Sequence, residues 1–322
     1  LICTIVVNSR LLINGQLLRL FPILSIFLLY GCKQQQTTGY ADIFESGVPI
    51  GHALESYIHE ASGMAASRKH RGMFWVHNDS GDQPRVFLID SLGKTQMIVY
   101  LPGARNRDWE DMAAGPGPDA SKTFIYIADI GDNLGIYQVK TIYRFPEPEL
   151  LHASVSIHNF DSIRFVYPDG ARDAETLLID PSTRDLFILS KREKKLHLYR
   201  LPFPQSTTEI QTADLVASDL TFNLLGEPKG YDKRYYNQIT GGDISADGTE
   251  ILIRDYSSIY YWKRRPDEKM GNVLRRKPLL LTYQPEPRGE AIAFSVSGDG
   301  YYTLSEQVGS NPSRLMYYRR MH

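Results

Sequence analysis

Five segments of the chain repeat one short grammar, and no other feature limits its possible folds as severely. They are Glu60-Ala-Ser-Gly-Met64-Ala, Asp108-Trp-Glu-Asp-Met112-Ala, Asp173-Ala-Glu-Thr-Leu177-Leu, Gly241-Gly-Asp-Ile244-Ser and Gly289-Glu-Ala-Ile292-Ala. With Met64, Met112, Leu177, Ile244 and Ile292 set as equivalent, the copies recur at spacings of 48, 65, 67 and 48 residues. Each acidic or glycine-containing lead passes into an apolar stretch and then a turn, such as Asp180-Pro181-Ser182, Asp247-Gly248 or Gly298-Asp299-Gly300. A second β-rich run follows at 73–76, 124–127, 186–189, 251–253 and 301–304, and a third at 86–89, 142–145, 196–201, 259–262 and 315–318. Four copies carry a fourth run, at 96–101, 162–167, 213–217 and 279–283. Short strands at regular spacing, punctuated by turn residues, predict antiparallel sheets.

A four-stranded antiparallel sheet repeated radially is the β-propeller, an all-β fold that protects its edges by closing a circle. Five blades are expected, with six as the alternative, because the two longer spacings leave room for further strands. Residues 221–238 have no strong period and read as a long loop or part of a sixth blade. The fifth copy reaches the end of the chain without a fourth strand. The stretch between Tyr40 and Ile58 is its natural donor, which would close the ring.

The order of acidic lead, strand, Gly-Asp turn and charged residue at the strand end resembles bacterial secreted propellers of the SdiA-regulated and esterase-like phytase types. More distantly it is similar to the gluconolactonase and paraoxonase propellers. The resemblance spans about residues 60–319 and is one of blade grammar, with no complete signature. It implies a propeller fold and, through the more distant relatives, calcium held in the central channel by acids and Asn from several blades.

The first 31 residues are a different polymer. They contain no Asp or Glu, their only charges are Arg10 and Arg19, and residues 20–30 form an apolar run. That run is too short for a bilayer span of ~20 residues but fits a secretory signal. Leu29-Tyr30-Gly31-Cys32 resembles a bacterial lipobox, with Tyr30 departing from the usual small residue; an ordinary signal peptide is the alternative. The expected organisation is a leader over 1–31, a lipidated Cys32 with a polar tether over 32–39, and one propeller over 40–322. It places a monomeric protein in the bacterial cell envelope, lipid-anchored on the periplasmic or surface face of the outer membrane. Cys3 and Cys32 are the only cysteines, so no disulfide framework is available to the body. A formal charge of -1 lacks the basic excess of a nucleic-acid binder.

Topology places the polar residues. The start of each first strand and the end of each second strand share one face, so the acidic leads and the returning ends meet around one mouth of the channel. The expected metal ligands are Asp79, Asp129, Asp132, Asp243 and Glu290, for which calcium suits because it takes six to eight oxygens in flexible geometry. Crowded carboxylates repel unless protonated, paired or neutralised, and a purely ionic rim is the competing explanation. Arg107, Arg172, Lys191 and Arg254 would then pair with the acids or bind a small-molecule or protein ligand. Glu110 and Glu175 occupy equivalent positions and could act as a carboxylate pair, with His77 as proton carrier in a calcium-dependent lactonase, esterase or phosphoesterase. Structural repetition, and a histidine bonded to its own loop, explain the same residues without chemistry. An interaction platform is the remaining alternative.

Overall fold

A computed structural model describes residues 41–52, 54–149, 154–222, 238–310 and 312–321. The leader, Cys32, the tether and most of the aperiodic 221–238 segment lie outside these residues. The rest forms a five-bladed β-propeller. Blade I pairs β2 (Ala61–Ala66), β3 (Met73–Asn78), β4 (Arg85–Asp90) and β5 (Thr95–Tyr100). Blade II pairs β6 (Trp109–Pro116), β7 (Thr123–Asp129), β8 (Val139–Pro146) and β10 (Asp161–Val166). Blade III is β11 (Ala174–Ile179), β12 (Leu186–Ser190), β13 (Leu196–Leu201) and β15 (Asp214–Leu220). Blade IV is β16 (Ile239–Ile244), β17 (Glu250–Asp255), β18 (Ile259–Lys263) and β19 (Leu279–Leu281).

Blade V closes the ring as the sequence predicts. Its β20 (Gly289–Phe294), β21 (Gly300–Ser305) and β22 (Leu315–Arg319) take their fourth strand from β1 (Val48–Ile50), with Val48 opposite Tyr317 and Ile50 opposite Leu315. Just before β1, Phe44 is buried edge-on against Tyr301, and Glu45 pairs with Arg319. Both ends of the ring are thereby fixed in one blade.

Two short strands are not legible as repeats. β9 (Ser154–Ser156), in the blade II connection, runs parallel to β5, and β14 (Gln211–Thr212), in the blade III connection, runs parallel to β10. Ala41 bridges β19 in the same parallel sense. Each lends an extended segment to the outer edge of the preceding blade, where an open edge would invite pairing with another chain. At blade III that place is taken by the short helix α1 (Met270–Arg275), with Arg275 bonded to Asp219 and to the Val216 carbonyl.

The core is five apolar clusters, one at each blade interface. Strand periodicity distributes the side chains: Phe74 and Val76 face blade V, whereas Trp75 between them faces blade II. Both faces of every blade are buried, so the middle strands read as continuous apolar runs, as strands covered on both faces do.

One registration differs from the sequence reading. In every blade the pairing of the first two strands skips one residue near the start: Ser62, Glu110, Glu175, Thr240 and Glu290. These five bulges are the true equivalents, so the fourth copy matches Met64 with Gly242, and the alignment on Ile244 slips by two residues. The cause is local. A side chain on Gly241 would come within 2.6 Å of the Glu290 carbonyl, and one on Gly242 within 2.8 Å of the Leu252 carbonyl. Neighbouring strands occupy the space that an apolar side chain fills in the other copies.

Candidate functional site

The inner strands expose their unpaired edges to the central channel, and buried backbone groups there need partners. Asp111 accepts hydrogen bonds from the N–H groups of Met112 (2.8 Å) and, across the blade interface, Leu177 (2.9 Å). Asp243 does the same for Ile244 and Phe294, each at 2.8 Å. Edge carbonyls are capped by hydroxyls and guanidinium groups: Ser62 donates to the Glu110 carbonyl (2.6 Å), Thr240 to that of Gly289 (3.3 Å), and Arg254 to that of Ala291 (3.0 Å).

A β-bulge re-aims the extra residue, and three of the five bulges carry Glu. The carboxylate oxygens of Asp79, Asp108 and Glu110 lie within 4.8 Å of one another, as do those of Glu110, Asp173 and Glu175. Glu110 belongs to both groups. It is only 4% exposed, and its carboxylate accepts no hydrogen bond and forms no ion pair among the described residues. Lys191, buried beside it, pairs with Glu175. The Tyr256 hydroxyl donates to Glu290 at 2.8 Å.

The electrostatics follow from this crowding. Burial, reinforced by the charges of Glu175, Asp79 and Asp108, pushes the Glu110 carboxyl well above its ordinary value. Glu175 is raised mainly by burial, against the pull of Lys191. Glu290 is raised by burial and by Glu306. Asp79 is pushed from 3.8 to about 7 by burial and by Glu290, Asp108 and Glu60, despite a bond from the Ser80 N–H. Burial alone would lower Lys191, but Glu175, Glu110 and Glu290 hold it above its ordinary value.

The structure gathers Asp79, Glu110, Glu175, Lys191 and Glu290 at this mouth. It adds Asp108 and Asp173, which the sequence places among the leads, and Tyr256, which has no repeat signal. Other expected site residues are engaged elsewhere. His77 is fully buried, its ring facing the backbone of Asn78 and Asp111 and packed edge-on against Trp109. Burial lowers its pKa to about 4, so the ring is neutral and enclosed, which is not the setting of a proton carrier at the rim. The glycine opposite makes the room, since a side chain on Gly63 would lie 2.3 Å from the His77 ring.

Arg254 is also fully buried, held by the Ala291 carbonyl, the Tyr283 hydroxyl and Glu286, so it caps an edge and does not face a ligand. Asp243 serves the blade junction described above. Asp132 orders its own loop by accepting the Ile136 and Tyr137 N–H groups and pairing with buried Lys140 at 3.0 Å. Burial would raise its carboxyl, but these three donors outweigh burial and hold it below its ordinary value. Asp129 accepts the Asp108 N–H and faces Arg107 at 3.5 Å, and Arg172 pairs with Asp169 and Glu193.

The loop that Asp132 orders carries a second feature of the mouth. Gly131 at its root packs against the carboxylates of Glu110 and Asp108, while at its tip Leu134 is 80% exposed, with Ile136 and Tyr137 also exposed. Arg107 covers the Tyr137 ring at 4.5 Å. An exposed apolar tip therefore stands beside the acidic cluster.

No family model matches the sequence. A search of curated proteins finds no match. Among solved structures, the chain is similar to the PQQ-bound aldose sugar dehydrogenase of Streptomyces coelicolor at 11% identity and a TM-score of 0.45, covering 88% of this chain and 100% of that one. A luciferin-regenerating enzyme matches at 12% identity and 0.42, covering 87% and 92%, and the WD40 repeats of RRP9 at 12% and 0.37, covering 81% and 67%.

Proposed function

We propose that this propeller binds an oxygen-bearing ligand at its acidic mouth with the help of calcium. Glu110 carries the reading: a carboxylate buried by folding, held by no donor among the described residues and shared by two carboxylate groups. A buried, unpaired charge is costly unless something neutralises it. Calcium–oxygen bonds of 2.3–2.6 Å put coordinating oxygens up to about 5 Å apart. The oxygens of Asp79, Asp108 and Glu110, and those of Glu110, Asp173 and Glu175, already meet that spacing. An all-oxygen donor set suits calcium better than zinc, which favours nitrogen and sulfur.

When bound, the cation would polarise a ligand carbonyl or phosphoryl oxygen. Lys191 supplies a donor beside it, and the apolar tip at Leu134 offers contact to a nonpolar substituent. Hydrolysis of a lactone, ester or phosphoester is the second reading, favoured by Glu110 and Glu175, whose raised affinity for protons suits a general acid. Calcium should raise the Tm of the purified propeller and a chelator should reverse the rise. The absence of any calcium-dependent shift overturns both metal readings. Chelator-sensitive turnover of a lactone, an aryl ester or a phosphomonoester separates hydrolysis from binding.

The apolar run at 20–30 and Cys32 support export and lipid anchoring in a bacterial envelope. Cys32→Ala should release the full-length protein from the membrane fraction; unchanged retention refutes the anchor.

A further inference from the structure

The turns joining first to second strands lie at the opposite end of the channel from the acidic mouth. A cavity of about 350 Å³ opens there, within the ~300–1,000 Å³ of typical small-molecule sites. The ends of β6, β11 and β16 and the β6–β7 turn form its wall, and blade I contributes Arg68 from the β2–β3 turn. Four blades therefore meet around it.

The charges of this wall are Arg68 and Lys122, and among the described residues no acid lines it. Asp180 and Asp247, on neighbouring turns, line a separate cavity between blades III and IV. Asp119 pairs with Lys122 at 3.0 Å, but both side chains are about half exposed, and such surface pairs contribute little. Arg68 feels the charge of Asp243, yet each Asp243 oxygen already accepts an N–H group, one from Ile244 and one from Phe294. No ion pair joins Arg68 to an acid among the described residues.

Arg68 is half-buried, and its Nε and Nη2 both donate to the Ala114 carbonyl at a long 3.4 Å. Three of its five N–H groups are left without a partner among the described residues. A guanidinium with donors to spare at the wall of a cavity suits the paired oxygens of a phosphate or sulfate. Ile179, Pro181 and Ile244 line the remaining space with carbon.

We infer that this far opening of the channel binds a small doubly charged oxyanion, phosphate or sulfate, free or carried on a small molecule. Arg68 holds two of its oxygens, and Lys122 exchanges Asp119 for a third. The site does not depend on calcium at the acidic mouth.

Titration calorimetry with inorganic phosphate and with phenyl phosphate, in chelator and at fixed ionic strength, tests the site. Phosphate should bind with a Kd of about 1 mM or tighter. Arg68→Gln should weaken binding about tenfold or more and Lys122→Gln about threefold. Asp119→Asn, which removes the competing charge, should tighten it. Lys122 and Asp119 are both about half exposed, so these two variants decide the question even where Arg68→Gln fails to fold. Tighter binding of phenyl phosphate makes the ligand an ester, and equal or weaker binding makes it the free ion; either supports the site. Glu110→Gln should leave phosphate binding intact even where calcium binding is lost, which keeps failure of the two sites distinguishable. Loss of phosphate binding in Glu110→Gln would move the anion to the acidic mouth and overturn the inference. No binding in the wild type, or binding unchanged in Arg68→Gln, Lys122→Gln and Asp119→Asn alike, also overturns it.

Discussion

Asp111→Ala should destabilise the propeller by about 3 kcal/mol, although Asp111 looks in sequence like one more acid of the mouth. The substitution removes the acceptor for the Met112 and Leu177 N–H groups on an inner edge where no strand can replace it. Each buried N–H left without a partner costs about 1–3 kcal/mol. Loss of a carboxyl whose burial raises its pKa offsets part of that cost. For a chain of this size the expected fall in Tm is roughly 6–12 °C. Asp111→Asn, which keeps one acceptor oxygen, should cost less. Asp119→Ala, which removes an acceptor from the half-exposed Ser121–Lys122 turn, should cost far less than Asp111→Ala. Equal curves for Asp111→Ala and the wild type would show that the channel edge is satisfied by other groups.

The same physics separates what the sequence discloses from what it hides. Blade number, strand order and closure by the chain's N-terminal region follow from short-range patterns, because each strand carries its own turn signals and apolar run. The acidic mouth follows from topology, since antiparallel connection puts every lead on one face. Side-chain assignment within that mouth depends on neighbouring blades. Arg254 and Arg107 both sit at strand ends, yet Gly289 leaves space that draws Arg254 inward: a side chain there would lie 2.0 Å from the guanidinium. Gly63 does the same for His77. Glycines opposite charged or aromatic residues were the available signal. Tyr256, outside the repeat, offered none.

Calcium affinity should rise steeply between pH 5 and pH 7.5, and Glu110→Gln should abolish the response. In the free protein Asp79 holds its proton up to about pH 7, and Glu110 is raised as well. An unfolded Asp releases its proton near 3.8. The folded state therefore binds the extra proton between these values, and stability without calcium falls as pH rises through that window. Calcium competes for the same oxygens, so binding displaces protons, with affinity rising about tenfold per pH unit for each proton released. Two pH units then correspond to roughly a hundredfold for a single displaced proton. Glu110→Gln removes the shared ligand, so the calcium-dependent rise in Tm should vanish. It also removes a carboxyl that resists ionisation, so the calcium-free variant should be no less stable than the wild type at pH 8. These opposite effects distinguish a cation site from an ionic rim. In a rim, losing Glu110 would leave Lys191 less well neutralised and lower stability at pH 8 with or without calcium. Calorimetric unfolding of both proteins across this pH range, with calcium and with chelator, measures each effect.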